Sequence, residues 1–206
     1  MKDYLCGKNK YFQFKFVFLI FNIFLCSLYL SSSFAGPIPN AKYTFDQQTS
    51  QMNFQVKNLG FLTVDGKFKK FSGIINFITP FEKSQVEVNA DISSIDTDSS
   101  SRDEHLRSSD FFDQEKYPTM TFKSTQVEGT LNSFKLMGDL TIKGVKKTVT
   151  FTVTGHEDKK NKDEYDFLAK TKINRNDFGI THGATISNDV TIQFEIHAVP
   201  SKNNIK

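Results

Sequence analysis

Four histidines are the candidates of this chain for proton transfer or metal binding: His105, His156, His182 and His197. His105 lies between Asp103 and Ser109, so a hydrogen-bonded acid–base group is one interpretation, and a capping or surface histidine is the other. The His-x-x-x-His spacing of a helical metal site is missing, as are the Gly-x-Ser-x-Gly turn of hydrolases and a phosphate-binding loop. We therefore expect no catalytic residue, no metal site and no enzyme.

The first 35 residues differ in composition from the rest of the chain. Four lysines precede an apolar run at 16–30, and the small residues Ser33 and Ala35 mark a cleavage site before Gly36. These features are typical of a cleaved secretory signal peptide, because a membrane-spanning helix usually needs ~20 apolar residues. We predict a signal peptide at 1–35 and a short leader at 36–41. Export to the periplasm is the expected outcome, with secretion as the second choice.

Cleavage changes the composition of the mature protein. Both cysteines, Cys6 and Cys26, are lost, so neither a disulfide nor a thiol nucleophile is expected. The removed segment holds four of the 26 basic and one of the 23 acidic residues, which leaves 22 of each and a net charge of zero. This balance gives no reason to expect nucleic-acid binding.

Apolar and polar residues alternate along most of the mature chain, most clearly at 51–57, 86–92, 148–154 and 190–198. Successive side chains of a strand point to opposite faces, so the alternation predicts strands with one wet and one dry face. Turn-type residues separate these stretches, and only 101–109 has a helical composition. The pattern predicts one all-β domain at 42–200, either a closed barrel or a sandwich, followed by a loose tail at 201–206.

The predicted dry face is rich in phenylalanine. Seven of the 22 phenylalanines lie in the predicted signal peptide, which leaves fifteen, and the chain has no tryptophan. Such rings can fill a barrel completely, or the strands can enclose a cavity that holds a small ligand. Composition alone does not decide between these two interiors.

Four motifs follow one another along the chain: GKF…FSG at 66–73, DEHLRS…DFFD…YP…FKST at 103–125, GDLTIKGV at 138–145 and INRNDFGI at 173–180. In these motifs the chain resembles the YceI-like family of lipocalin-like, polyisoprenoid-binding periplasmic proteins, from about residue 43 to about residue 196. The resemblance implies an eight-stranded antiparallel lipocalin-like barrel with one short helix. It also implies an elongated apolar cavity that holds an isoprenoid or other long-chain amphiphile. Many members have histidine where this chain has Thr49 and Asn58, so no role of those imidazoles carries over.

The expected function is to hold a long-chain lipid, such as a polyisoprenoid or quinone, as a carrier, store or sensor without any other cofactor. The alternative is a non-catalytic stress-response or interaction module with a filled barrel. The resemblance also leaves a homodimer and a transient membrane contact open. The residues predicted to line the cavity share the dry phase of the strands: Phe54, Val56, Phe68, Phe77, Val88, Phe122, Leu136, Leu140, Phe151, Val153, Phe167, Ile192 and Phe194.

The predicted cavity mouth adjoins the loops of the motifs and comprises Arg102, His105, Arg107, Phe111, Phe112 and Arg175. Arg175 has two interpretations: it pairs with a polar headgroup, or it forms a buried ion pair with Asp110 or Asp177. The neighbouring Phe111 and Phe112 either cap the mouth or seal the core.

Overall fold

The computed structural model describes residues 40–202. The predicted signal peptide, residues 36–39 of the leader and residues 203–206 of the tail lie outside the described residues. No helix within 40–202 is long and apolar enough to cross a membrane. The first strand begins at Ala41, so the predicted leader ends one residue inside the sheet.

Eleven strands occur in the described chain: β1 (Ala41–Phe45), β2 (Gln51–Asn58), β3 (Leu62–Phe68), β4 (Phe71–Phe77), β5 (Gln85–Asp91), β6 (Ile95–Asp96), β7 (Thr119–Thr130), β8 (Ser133–Ile142), β9 (Val145–Glu157), β10 (Tyr165–Asn174) and β11 (Ile186–Pro200). One α-helix, α1 (Ser100–Arg107), lies between β6 and β7, as expected from the composition of 101–109. Three short 3₁₀ turns complete the described elements: Phe81–Lys83, Ile92–Ser94 and Arg175–Phe178.

The eleven strands form a closed antiparallel barrel. Three of its eight barrel strands are each interrupted and so consist of two shorter strands. β1 and β2 both pair with the long β11, β3 continues into β4, and β5 continues into β6. The pairing of β1 with β11 closes the ring. The expected eight-stranded antiparallel barrel with one helix is thus confirmed, and the sandwich is excluded.

The alternation read from the sequence explains which side chains enter the barrel. In β8, Phe134, Leu136, Leu140 and Ile142 are buried, whereas Lys135 between them is exposed. The same period-two burial recurs in β9 and β11. Because each strand hides one face only, the interior is apolar and the outer face remains polar.

Helix α1 is held in place by a buried carboxylate. Its one large apolar side chain, Leu106, offers little packing energy. Asp103 is buried and accepts hydrogen bonds from the Thr97 backbone N–H at 2.9 Å and from the Thr97 hydroxyl at 2.5 Å. These bonds fix α1 to the segment that follows β6.

The connections define two ends of the barrel. Helix α1, the loop 179–185 and the β2–β3 hairpin lie at one end, which we call the mouth end. The backbone N–H of Leu59 donates to the carbonyl of Thr185 at 2.9 Å and ties that hairpin to the loop. The loops 78–84, 131–132 and 158–164 lie at the opposite end, which we call the far end.

Candidate functional site

The half of the barrel next to the mouth end is hollow. It holds a space of about 670 Å³, which we call the mouth cavity, with walls from β2, β10, β11, α1 and the loop 179–185. Exposed side chains such as Arg102 and His182 belong to this wall, so the cavity reaches the surface at the mouth end. Its volume lies within the roughly 300–1,000 Å³ that small-molecule sites occupy.

Nine of the residues predicted from the sequence line this cavity: Phe54, Val56, Phe68, Ile192, Arg102, His105, Phe111, Phe112 and Arg175. Sequence reasoning did not select several other apolar wall residues, including Met52, Ile173, Phe178 and Val190. Met52, Ile173 and Val190 share the dry phase of their strands, so the alternation could have indicated them. Phe178 lies in the 3₁₀ turn after β10, where no strand period applies.

The other half of the barrel is filled, which corrects the expectation that all thirteen predicted lining residues border one elongated cavity. Eight predicted lining residues surround a second space of only about 60 Å³: Phe77, Val88, Phe122, Leu136, Phe151, Val153, Phe167 and Phe194. Ring centroids there lie 5.3 Å apart for Phe122 and Phe151, and 5.6 Å apart for Phe151 and Phe194. Aromatic rings at these separations are in packing contact, and little empty space remains between them. The alternative of a filled interior therefore holds for this half.

Two further predicted residues line neither space. Leu140 is buried in β8 and packs in the core. Arg107, in the last turn of α1, is half-buried and lies outside the wall of the mouth cavity.

Glycines in the strands make room for the phenylalanine rings. An added Cβ on Gly138 would meet both the Phe122 ring and the backbone oxygen of Lys123. Three other strand glycines have the same relation to a ring: Gly66 to Phe54, Gly73 to Phe45 and Gly155 to Phe167. A missing side chain in a strand permits close approach by a neighbour, and here the neighbour is an interior ring. The glycines of the GKF, FSG and GDLT motifs therefore have a packing role.

Arg175 organises the loop at the mouth end. Its guanidinium is buried and directs all five N–H donors at backbone carbonyls. The acceptors are Ile180 at 2.8 Å, His182 at 2.5 Å, Gly183 at 3.1 Å, Ile186 at 3.0 Å and Ser187 at 3.0 Å. Burial lowers the pKa of this guanidinium from its ordinary value.

These bonds correct both interpretations of Arg175. Neither Asp110 nor Asp177 forms an ion pair with it within residues 40–202, so the expected buried pair is wrong. All five donors are already engaged, so none remains for a headgroup. Arg102 is better placed for that role, because it is exposed and Thr97 occupies only its Nε and Nη2 in the described part of the chain.

Asn58 contributes an unpaired polar atom to the cavity wall. Its side-chain oxygen is buried and finds no hydrogen-bond partner among the described residues. A buried acceptor without a donor costs about 1–3 kcal/mol. A ligand hydroxyl or amide that enters the cavity could therefore gain by donating to this oxygen.

The two neighbouring phenylalanines of the DFFD motif play different roles. Phe111 is buried, and its ring lies edge-on to two imidazoles, with centroids 5.0 Å from His105 and 5.2 Å from His182. Phe112 is half-buried, packs against Phe68 at 6.0 Å and forms part of the cavity wall.

The tip of the β2–β3 hairpin exposes three large apolar side chains beside the mouth. Leu59 is 53% exposed, Phe61 73% and Leu62 47%. They are the large apolar side chains that are exposed in the described chain. Contiguous exposed apolar groups are typical of surfaces that contact a membrane or a partner.

These features define a class: an eight-stranded lipocalin-like β-barrel with an apolar cavity that opens at one end. The YceI-like domain matches residues 43–198. Protein YceI of Escherichia coli O17:K52:H18 (strain UMN026 / ExPEC) is 34% identical over 175 residues, covering 82% of this chain and 92% of that protein. The chain therefore belongs to the YceI-like family, as its motifs indicated.

Solved structures share this fold. The crystal structure of Burkholderia cenocepacia BcnA gives a TM-score of 0.69 at 26% identity, covering 75% of this chain and 99% of that chain. A polyisoprenoid-binding domain from Saccharophagus degradans gives a TM-score of 0.61 at 16% identity, covering 77% of this chain and 98% of that chain. At 16% identity the second similarity shows a shared fold.

A separate charged cluster lies toward the far end, outside the barrel. His197 Nδ1 lies 2.8 Å from an Asp166 carboxylate oxygen, and His197 Nε2 lies 3.0 Å from a Glu164 oxygen. The Asp166 hydrogen bond, helped by Glu164 and opposed by partial burial, raises the pKa of His197 above 6.5. The His197 side chain thus joins β11 to β10 and to the end of the loop 158–164.

Because of this cluster, we expect the free energy of unfolding to fall as the pH rises. Because the folded-state pKa of His197 exceeds the unfolded value, its contribution is full below about pH 6.5 and is lost as the pH rises through the folded-state pKa. His197→Gln should lower the free energy of unfolding by about 1 kcal/mol at low pH and remove this part of the pH dependence. Urea unfolding across this pH range measures it, with His156→Gln as control. Parallel pH profiles of wild type and His197→Gln would contradict the assignment.

Proposed function

We propose that this chain is a non-catalytic lipid-binding protein that holds the apolar part of an isoprenoid or similar long-chain amphiphile in the mouth cavity. The observation that carries the proposal is an apolar space of about 670 Å³ that reaches the surface at one end of a closed barrel. The polyisoprenoid-binding domain from Saccharophagus degradans has the same fold, which supports this ligand class.

The energetics favour a chain of several isoprene units. Burying a hydrocarbon gains about 0.8 kcal/mol per CH₂, so a five-carbon unit gains on the order of 3 kcal/mol. Loss of translational and conformational freedom offsets part of this gain. A wall made mainly of Phe, Ile, Val and Met selects width and length, because it offers few polar groups to recognise chemical identity.

The two ends of the cavity orient the ligand. Packed rings such as Phe122 and Phe151 fill the far half and limit how deep the hydrocarbon extends. The polar groups of the cavity wall, including Asn58 and Arg102, are available to a headgroup. We infer that the tail points toward the far end and that the headgroup stays at the mouth end.

We also propose where the protein is located in the cell and where it takes up its lipid. The N-terminal signal-peptide pattern supports export to the periplasm. The exposed Leu59, Phe61 and Leu62 lie beside the mouth, where a membrane contact would bring lipid directly to the cavity. The hairpin tip is therefore the proposed point of transient membrane contact.

Native mass spectrometry of gently purified protein tests the proposal. We expect a co-purifying long-chain lipid, and after its removal we expect saturable uptake of a prenol or quinone. No bound lipid combined with no uptake would overturn the proposal. The filled-barrel interaction module would then be the better account.

The hairpin tip gives a test of the membrane contact. Because the chain has no tryptophan, Phe61→Trp introduces a single tryptophan at the tip, which can be excited selectively over the tyrosines. Its emission should shift to shorter wavelength with phospholipid vesicles, since tryptophan favours membrane interfaces. Phe61→Ser should weaken vesicle binding by roughly ten- to a hundredfold, since burying a phenylalanine gains ~1.5–3 kcal/mol.

The matched control places tryptophan at the far end instead. Asn132→Trp occupies the exposed β7–β8 turn and should show no shift with the same vesicles. Equal shifts for the two variants would show nonspecific adsorption and would contradict a role for the hairpin tip.

A further inference from the structure

Three side chains from separate parts of the sequence meet at the mouth end with their ligand atoms close together. His105 Nε2 lies 3.1 Å from Asp110 Oδ2, and His182 Nδ1 lies 4.0 Å from the same oxygen. Within the group, each pair of ligand atoms lies within 4.8 Å. All three side chains are about half exposed, so an ion can reach them from solvent.

The donor set and its spacing suit a transition-metal ion. Two imidazoles and one carboxylate form a ligand set that Zn²⁺ and neighbouring divalent metals accept. Zinc binds nitrogen and oxygen at about 2.0–2.2 Å, which puts tetrahedral ligand atoms roughly 3.3 Å apart. The 3.1 Å separation already fits, and a small rotation of His182 closes the 4.0 Å one.

Independent anchors bring the three ligands together. His105 lies on α1, which the buried Asp103 fixes through Thr97. His182 lies in the loop 179–185, where Arg175 holds its backbone carbonyl. The Phe111 ring packs against both imidazoles, next in sequence to Asp110. Each of the three ligands is thus positioned by a buried interaction of its own. An isolated ion pair at the surface would need no such support.

We propose that His105, Asp110 and His182 bind one divalent transition-metal ion, of which Zn²⁺ is the type case, at the rim of the mouth cavity. Three protein ligands leave a position open for water. If the proposed lipid function is correct, an oxygen of the lipid headgroup can take that position, because both histidines line the cavity. Only this last step rests on the proposed function.

Titration of the delipidated protein with Zn²⁺ tests the site without involving lipid. Calorimetry should show one ion per chain, and Co²⁺ should give the visible absorption of a low-symmetry nitrogen–oxygen site. His182→Ala removes one ligand, and Asp110→Asn removes the negative charge of another. Both side chains are about half exposed, so both variants should keep the fold. Loss of a residue that only hydrogen-bonds a metal ligand weakens metal binding by roughly 10–100-fold. Loss of a ligand itself should weaken Zn²⁺ binding by more than this.

The far-end cluster supplies the matched controls. His156 is an exposed histidine beside Asp166 at 3.5 Å, so His156→Ala should leave Zn²⁺ binding unchanged. Asp158, Asp166 and His197 form the other group of potential ligands in the described chain, and His197→Gln disrupts it. Zn²⁺ binding that survives His182→Ala but fails in His197→Gln would overturn the proposal, as would the absence of saturable binding. Because lipid uptake is measured separately, failure of the metal site and failure of the lipid proposal are distinguishable.

Discussion

Arg175→Met should lower the free energy of unfolding by about 3 to 5 kcal/mol, because it leaves several backbone carbonyls under the loop without a hydrogen-bond donor. The substitution removes five hydrogen bonds at once. The carbonyl of Gly183 keeps the backbone N–H of Ile186 as a donor, whereas the other four carbonyls lose the guanidinium. Each buried polar group left unsatisfied costs ~1–3 kcal/mol, and water can replace only part of this in a loop that covers a cavity. Calorimetry should show a fall in Tm of about 10 °C.

Two further variants separate the hydrogen bonds from the charge. Arg175→Lys keeps the positive charge but has three donors on one nitrogen, so it should recover only a small part of the loss. Arg107→Met removes the same charge from a half-buried side chain outside this carbonyl cluster and should change stability little. Amide exchange across 180–187 should rise in Arg175→Met alone. If Arg175→Lys is as stable as wild type, the positive charge stabilises the loop and the five hydrogen bonds to carbonyls do not, which would contradict this account.

The second large effect is expected from filling the mouth cavity. Val56 and Val190 are direct neighbours across the β2–β11 pairing, and both line the cavity. Replacing both by phenylalanine places two rings in the space proposed for lipid. If these rings exclude about four methylene groups of the ligand, binding loses about 3 kcal/mol, or roughly a hundredfold in Kd. Fluorescent-lipid uptake by the delipidated variant measures this loss.

The adjacent register position offers a matched control. Gln55 and Thr191 also face each other across β2 and β11, but they point to the outer face. Gln55→Phe with Thr191→Phe adds the same two rings to the same strands outside the barrel, and it should bind lipid like wild type. Equal losses in the inner and outer double variants would mean that the rings disturb the strands rather than block the cavity.

Much of the architecture could be predicted because the period-two pattern is local. The alternation along β8 puts Phe134, Leu136, Leu140 and Ile142 on one face, and all four are buried. The interruptions of the barrel strands could not be read in this way. β1 and β2 belong to one barrel strand only because both pair with β11, a contact between distant parts of the chain.

The candidate site was less predictable, because alternation tells which face a side chain takes and not how far it reaches. Phe54 and Phe122 have the same strand phase in the sequence, yet Phe54 borders the mouth cavity while Phe122 packs with Phe151. Whether a ring borders the cavity or fills the barrel depends on which rings of other strands pack against it. That arrangement depends on all eight barrel strands together.

The polar part of the site depends on loop conformation. No spacing rule places His105 near His182, because a long stretch of sheet separates them in sequence. They meet because Arg175 folds the loop 179–185 back over the mouth end. The sequence did indicate Arg175, the basic residue of the INRNDFGI motif. Its partners are backbone carbonyls, however, and every residue has one, so the sequence could not show which ones it binds.

The central claim is that the hollow mouth half of the barrel holds the lipid. A crystal structure of the protein with its co-purified lipid tests this most directly. We predict continuous density for an extended hydrocarbon beside Phe54 and Ile192, ending at the packed Phe122 and Phe151 rings, with its polar end at the mouth. Lipid density elsewhere on the protein, with the mouth cavity collapsed or filled by water, would contradict the account.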